Sequence, residues 1–292
     1  MNRTTISCII GILLSGCGNN EQAADAYGNF EAVDVLVSAE GQGKLLSFDI
    51  EEGERLSVGK TVAVIDTIQL HLQKEQIRAS LNVVRSNYVT VEAQSASYRV
   101  QLDNLDRELK RIENLLTDGA ATGKQRDDIL GNMALVKSQR SALQAQKATI
   151  SAEEHTLLVQ VRQIENQIQK SMTINPIDGL VLEKYRQSGE IVAPGQALYK
   201  IADTDQLILR AYISGDQLSG VKVGDQVIVR YDGPSGIAET KGTVSWIASQ
   251  AEFTPKIIQT REERVNLVYA MKVIVVNDGS LKIGMPGEVK FR

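Results

Sequence analysis

Aromatic residues make up only 4% of this 292-residue chain. That is too few for one large globular core, and it suits a protein with much coiled coil. Histidine and cysteine occur twice each. His71 and His155 stand alone in helical patterns with no cluster of ligands around them, so no metal site is expected. The five methionines are scattered, which argues against a methionine-rich copper or silver site. No basic stripe is visible, and a formal net charge of −4 speaks against a nucleic-acid partner. Glycine-rich phosphate loops, catalytic triads and paired-carboxylate sites are missing too, so the expectation is no enzyme and no cofactor. Long apolar runs are also lacking. The run from Ile6 to Leu14 is far too short to cross a bilayer as a mature helix.

That short run reads instead as a secretory signal over residues 1–16. It follows one early positive charge, Arg3, and is followed by small residues before Cys17. "LSGC" at 14–17 resembles the lipobox of bacterial lipoproteins. In that family the chain is cut before the cysteine, which is then acylated. The resemblance implies Cys17 as the lipid attachment, with the lipid as the only membrane anchor. The other reading is an ordinary signal peptide that contains a cysteine. An exported chain without a disulfide fits the cysteine count.

Proline is absent from 67–172, and the only glycines there are Gly119, Gly123 and Gly131. Apolar residues step by four and three through Ile77, Leu81, Val84, Tyr88, Val91, Tyr98, Leu102, Leu105, Leu109, Ile112 and Leu116. Only Ser95 interrupts them. Such a seam predicts a coiled coil. A second seam runs through Ile129, Met133, Val136, Leu143, Ile150, Leu157, Val161, Ile164 and Ile168. Arg140, Lys147 and Glu154 occupy one of its heptad positions. Polar residues there can fix register or face neighbouring copies in an assembly, and the sequence leaves both open. "TDGAATGKQRDD" at 117–128 joins the seams, so 67–172 is expected to be a long antiparallel helical hairpin.

On either side of the hairpin the chain repeats itself. Gly43, Gly53 and Gly59 recur as Gly179, Gly189 and Gly195, each 136 positions later. Glycine tolerates positive φ, so both copies are expected to make the same tight turns. Alternating runs between them read as half-buried strands. The expectation is one small β domain split into halves at 33–66 and 173–203, with the hairpin inserted between. Residues 17–32 then read as a linker. After Asp203, "LILRAYISGDQL", "VKVGDQVIVRYDG", "KGTVSWIA" and "LVYAMKVIVVNDG" predict a further all-β domain over 204–292. The fold class is thus α+β and multidomain.

"VSAEGQGKLLSFDIEEGERLSVGKTVAVID" and "NPIDGLVLEKYRQSGEIVAPGQALYKIAD", with a hairpin between them, resemble the split lipoyl domain of periplasmic adaptor proteins. These are the membrane fusion proteins of the HlyD type. The resemblance covers roughly residues 30–292. It implies a lipoyl-like domain followed by an adaptor β-barrel that ends in "GMPGEVKF". It also implies an assembly of six copies between an inner-membrane transporter and an outer-membrane channel of the TolC type. The location implied is the periplasm, with a lipid anchor in the inner membrane. "EFTPKIIQTREERVNLVYAMKV" at 252–273 resembles adaptors that serve ABC-type exporters. Relatives that dock on TolC-type channels carry an Arg, a Leu four later and a Ser seven after that. Arg111, Leu115 and Thr122 stand at those spacings, with Thr in place of Ser. The other reading of these residues is that Leu115 flanks the seam and Arg111 is solvated. Lipoyl carriers modify a lysine at the turn where the hairpin is inserted here, so no lysine matches. Lys184 and Lys200 read as solvated strand charges. A passive envelope lipoprotein that uses its coiled coil as a spacer or scaffold is the alternative function.

Overall fold

The computed structural model describes residues 24–234, 236–253 and 267–291, so the signal run and Cys17 lie outside the described residues. The chain divides into two compact units. One comprises Asp34–Ala202, and the other takes in the chain up to Val33 and from Asp203 onward. In chain order, β1 (Ala26–Glu31) precedes β2 (Asp34–Ser38), β3 (Gly43–Ser47), β4 (Arg55–Leu56) and β5 (Thr61–Ile65). Helices α1 (Ile68–Thr117) and α2 (Gly123–Lys170) follow, then β6 (Met172–Ile174), β7 (Gly179–Lys184), β8 (Ile191–Val192) and β9 (Ala197–Ala202). The remaining strands are β10 (Gln206–Ser214), β11 (Gln226–Gly233), β12 (Gly236–Ile247), β13 (Glu252–Phe253), β14 (Leu267–Val276) and β15 (Pro286–Lys290).

The split domain is two four-stranded sheets, ordered β2-β9-β7-β4 and β6-β5-β3-β8. Exchanging each strand for its repeat partner (β2 for β6, β3 for β7, β4 for β8, β5 for β9) turns one sheet into the other. The backbone obeys this approximate two-fold. Gly53 N–H donates to Val181 O at 2.9 Å, and Gly189 N–H to Leu45 O at 2.7 Å. Gly59 N–H donates to Asn175 O at 2.9 Å, and Gly195 N–H to Ala39 O at 2.8 Å. Each bond joins a turn of one half to the other half, so neither half satisfies its own backbone. Leu45, Leu56 and Ile65 pack with Val181, Val192 and Ile201 in a single core.

Five of the six repeat glycines have positive φ, as expected; Gly53, Gly59, Gly189 and Gly195 lie between 82° and 95°. Gly179 corrects the expectation. It is not among the positive-φ glycines. A Cβ there would lie 2.5 Å from Ala202 O, so close approach of β9 is what excludes a side chain. Asn175 also breaks the symmetry, standing where the first half has Ala39. Its buried amide donates to Ser57 O at 2.9 Å and Ile177 O at 2.6 Å, and accepts from the Tyr199 hydroxyl at 2.8 Å. Burial pushes the Tyr199 hydroxyl up to about 12, which keeps it a neutral donor. Lys184 is a second correction. Its side chain is only 8% exposed, packed over the Phe48 ring and 3.6 Å from Glu51.

In the hairpin every apolar residue of both predicted seams is buried or half-buried. Two of the three polar seam positions pair within the chain. Lys147 binds Glu92, with its ammonium 5.0 Å from the Tyr88 ring centroid, and Glu154 accepts from Arg85 Nε at 2.8 Å. These contacts pin α1 against α2, which favours the register-fixing reading for Lys147 and Glu154. The Lys147 hydrogen bond holds Glu92 below its ordinary carboxylate value. Its contribution is therefore present at neutral pH and fades as pH falls through that lowered value.

The second unit is a closed six-stranded barrel, β10-β1-β15-β11-β12-β14, with β14 pairing back to β10. Alternation fills it: Leu207, Leu209, Ala211 and Ile213 of β10 point inward. Residues 26–31, expected to be linker, are instead strand β1, antiparallel to both β10 and β15. Asp25 ties down the entry, since its carboxylate accepts from Phe291 N–H at 2.8 Å and its own N–H donates to Val289 O at 2.9 Å. The barrel is thus split as well. The lipoyl-like domain is inserted in the barrel, and the hairpin is inserted in the lipoyl-like domain. Of the stretch 252–273, residues 254–266 lie outside the described residues.

Candidate functional site at the hairpin tip

Helix α1 ends where the backbone turns left-handed at Gly119, with φ of 70°. Its last carbonyls are taken up by the turn: Ala120 N–H donates to Leu115 O at 2.7 Å, and Gly119 N–H to Leu116 O at 3.1 Å. Leu116 sits half-buried on the seam. Leu115 does not, and is 37% exposed. Arg111 lies one turn earlier on the same stripe of α1, exposed and ion-paired to Glu108. The tip therefore presents an apolar side chain and a guanidinium together, neither of which is needed by the coiled-coil core.

Thr122 has a different local duty. It is the N-cap of α2, in a capping box with Gln125. Gln125 N–H donates to Thr122 Oγ1, while Thr122 N–H and the hydroxyl reach Gln125 Oε1 at 2.8 and 3.0 Å. The signal was present in the sequence as T-x-x-Q at 122–125, and Gln125 is the tip residue that the spacing argument overlooked. Thr122→Ala should therefore cost about 1 kcal/mol of local helix stability. Amide exchange at residues 123–126 should rise while Thr122→Ser stays protected. Unchanged exchange in Thr122→Ala would show that the cap carries no weight.

His71 Nδ1 bonds the Thr67 carbonyl at 3.0 Å, and His155 is exposed. No group of three or more metal-ligating side chains occurs among the described residues, and none of the described helices is long and apolar enough to cross a membrane.

No family model matches the sequence. The UPF0194 membrane protein of Yersinia pseudotuberculosis serotype O:3 is 26% identical over 301 residues, covering 93% of this chain and 90% of that protein. UPF0194 membrane protein YE2891 of Yersinia enterocolitica is 26% identical over 330 residues, covering 100% and 99%. UPF0194 membrane protein YbhG of Salmonella gallinarum is 23% identical, covering 98% and 95%. Among solved structures, MacA from Actinobacillus actinomycetemcomitans superposes with a TM-score of 0.59 at 19% identity, over 91% of this chain and 78% of that one. With its hairpin inserted in a split lipoyl-like domain, and that domain inserted in a barrel, the chain shares the fold of that protein.

Proposed function

We propose that this chain is a periplasmic adaptor of the HlyD type. It links an inner-membrane exporter of the ABC type to an outer-membrane channel of the TolC type. Six copies form the ring, each held to the inner membrane through a lipid on Cys17. The observation that supports the reading is the tip. Helix α1 has 50 residues, so at 1.5 Å per residue the arm is on the order of 70 Å long. At its far end Leu115 and Arg111 are exposed side by side. A leucine that fills a groove beside a guanidinium that hydrogen-bonds is an economical way to grip a helical channel end.

Ala120 is exposed at the turn, so a cysteine there is open to solvent. An Ala120→Cys chain treated in cells with a short thiol-to-amine crosslinker should yield an adaptor–channel product. Failure to find an outer-membrane partner while the protein reaches the membrane fraction would favour the spacer role. Cys17→Ala should release the protein from that fraction or leave an uncleaved precursor. Normal processing with unchanged fractionation would exclude the lipid anchor.

A further inference from the structure

We infer that the barrel carries a binding cleft for a flat aromatic organic cation. The ribbon of β11 and β12 runs on past the start of β15. Tyr231 faces Gly287 in register, whereas Asp232 and Gly233 pair only with β12. This overhang and the outer faces of β1 and β15 bound a cleft of about 670 Å³. That volume lies within the range of small-molecule sites.

The floor is a row of outward side chains in register. Tyr212 lies beside Tyr27, Tyr27 beside Glu288, and Glu288 beside Arg230. Ile237 lines the wall above them. Tyr27 is 56% exposed and Ile237 57% exposed. The core of the barrel is filled without either of them. The Tyr27 ring and an isoleucine are therefore left open to water beside the half-buried Tyr212 around a concave surface, the composition of a site that gains by covering them.

The charge decides the class of ligand. The guanidinium of Arg230 is already ion-paired to Glu239, with Nε at 2.8 Å from the carboxylate. Two carboxylates, Asp232 and Glu288, also line the cleft. An aromatic cation can stack on the tyrosines, draw on their ring faces and offset the carboxylates at once. A neutral aromatic gains only the stacking, and an anion meets like charge.

The inference concerns the isolated chain, so it stands or falls separately from docking at the tip. Purified full chain is titrated with ethidium and followed by fluorescence anisotropy, with neutral phenanthridine and anionic 8-anilinonaphthalene-1-sulfonate as comparisons. Ethidium should bind saturably with one site per chain, and more tightly than either comparison. Tyr27→Ala and Glu288→Gln should each weaken it about tenfold, and Tyr27→Phe should keep it, as expected for a ring-face and carboxylate site. Glu288→Gln should also flatten the salt dependence. Both side chains point outward, and the circular dichroism of each variant should match the parent. The inference is overturned if ethidium does not saturate, if the anion binds as tightly, or if both variants bind ethidium unchanged.

Discussion

A chain carrying Leu115→Ser should fold, reach the membrane and fail in export. Leu115 lies off the seam and is 37% exposed, whereas its neighbour Leu116 is the residue that packs between the helices. Removing Leu115 should therefore leave the hairpin's helicity and melting nearly unchanged. What it removes is an apolar group able to fill a groove on a partner, worth on the order of 1.5–3 kcal/mol per contact. A ring of copies repeats the contact, so the loss compounds and the joint should open rather than weaken slightly. Arg111→Asp should act in the same direction, because it sets a second negative charge beside Glu108 and reverses the charge offered to the channel. The measurement is export, or susceptibility to an exported compound, in cells whose only copy is the variant. Leu116→Ser serves as the contrast, since it should lower hairpin stability. If Leu115→Ser and Arg111→Asp both export normally, the tip is not a docking site and the coiled coil acts as a spacer.

The second large effect should come from Gly28→Val in β1. A Cβ built at Gly28 would lie 1.9 Å from Arg210 O and 2.5 Å from Ala211 Cα. These are backbone atoms of the neighbouring strand and cannot swing aside as a side chain could. The strand must separate from β10, with loss of ladder hydrogen bonds and of the Phe30 contacts beyond it. A cost of about 3–5 kcal/mol is expected, at the severe end for a single substitution. Gly131→Ala is the opposite case. It lies within α2 with nothing inside 4 Å of the added Cβ, and it should stabilise by about 0.5–1 kcal/mol. Urea denaturation read by near-ultraviolet circular dichroism would report the barrel, and the signal at 222 nm the hairpin. Gly28→Val should lose the first at low denaturant while keeping much of the second. Equal midpoints in Gly28→Val and the parent would refute the close-approach argument.

What was legible in the sequence was what repeats locally or at a fixed distance. The hairpin declares itself because a seam residue recurs every three or four positions, and no proline or long-range partner is needed to see it. The split domain declares itself because its turn glycines recur in register. Strand β1 has neither advantage. Ala26, Gly28 and Phe30 alternate over only six residues, with a glycine in the middle, and their partners on β10 and β15 come roughly 180 and 260 positions later. Nothing nearby could mark that segment as a strand. Gly179 misled for a related reason: a glycine demanded by a neighbour's backbone looks the same as one demanded by a turn. At the tip, Arg111 and Leu115 were singled out through the resemblance to channel-docking adaptors, and the commitment of the Thr122 hydroxyl to its own helix showed only once Gln125 was placed beside it. Lys147 and Glu154 were visible as oddities in the seam, but their partners Glu92 and Arg85 lie on the other helix, out of reach of any local pattern.

The double insertion also sets an order of events for a chain that emerges N-terminus first. The hairpin needs only contacts between adjacent helices, and it can form as soon as α2 is present. In the lipoyl-like domain β3 can pair with β5 early, but β2 and β4 stay unpaired across the hairpin until β9 and β7 arrive. The barrel waits longest, because β1 leaves one edge open until β10 emerges and the other until β15. Contacts of such long sequence separation carry the greatest loop-closure cost and form slowly. Completion therefore runs from the inside of the sequence outward. Strand β1 is seated on both sides only once β15 has been made, so a product truncated before β15 would leave β1 with an open sheet edge.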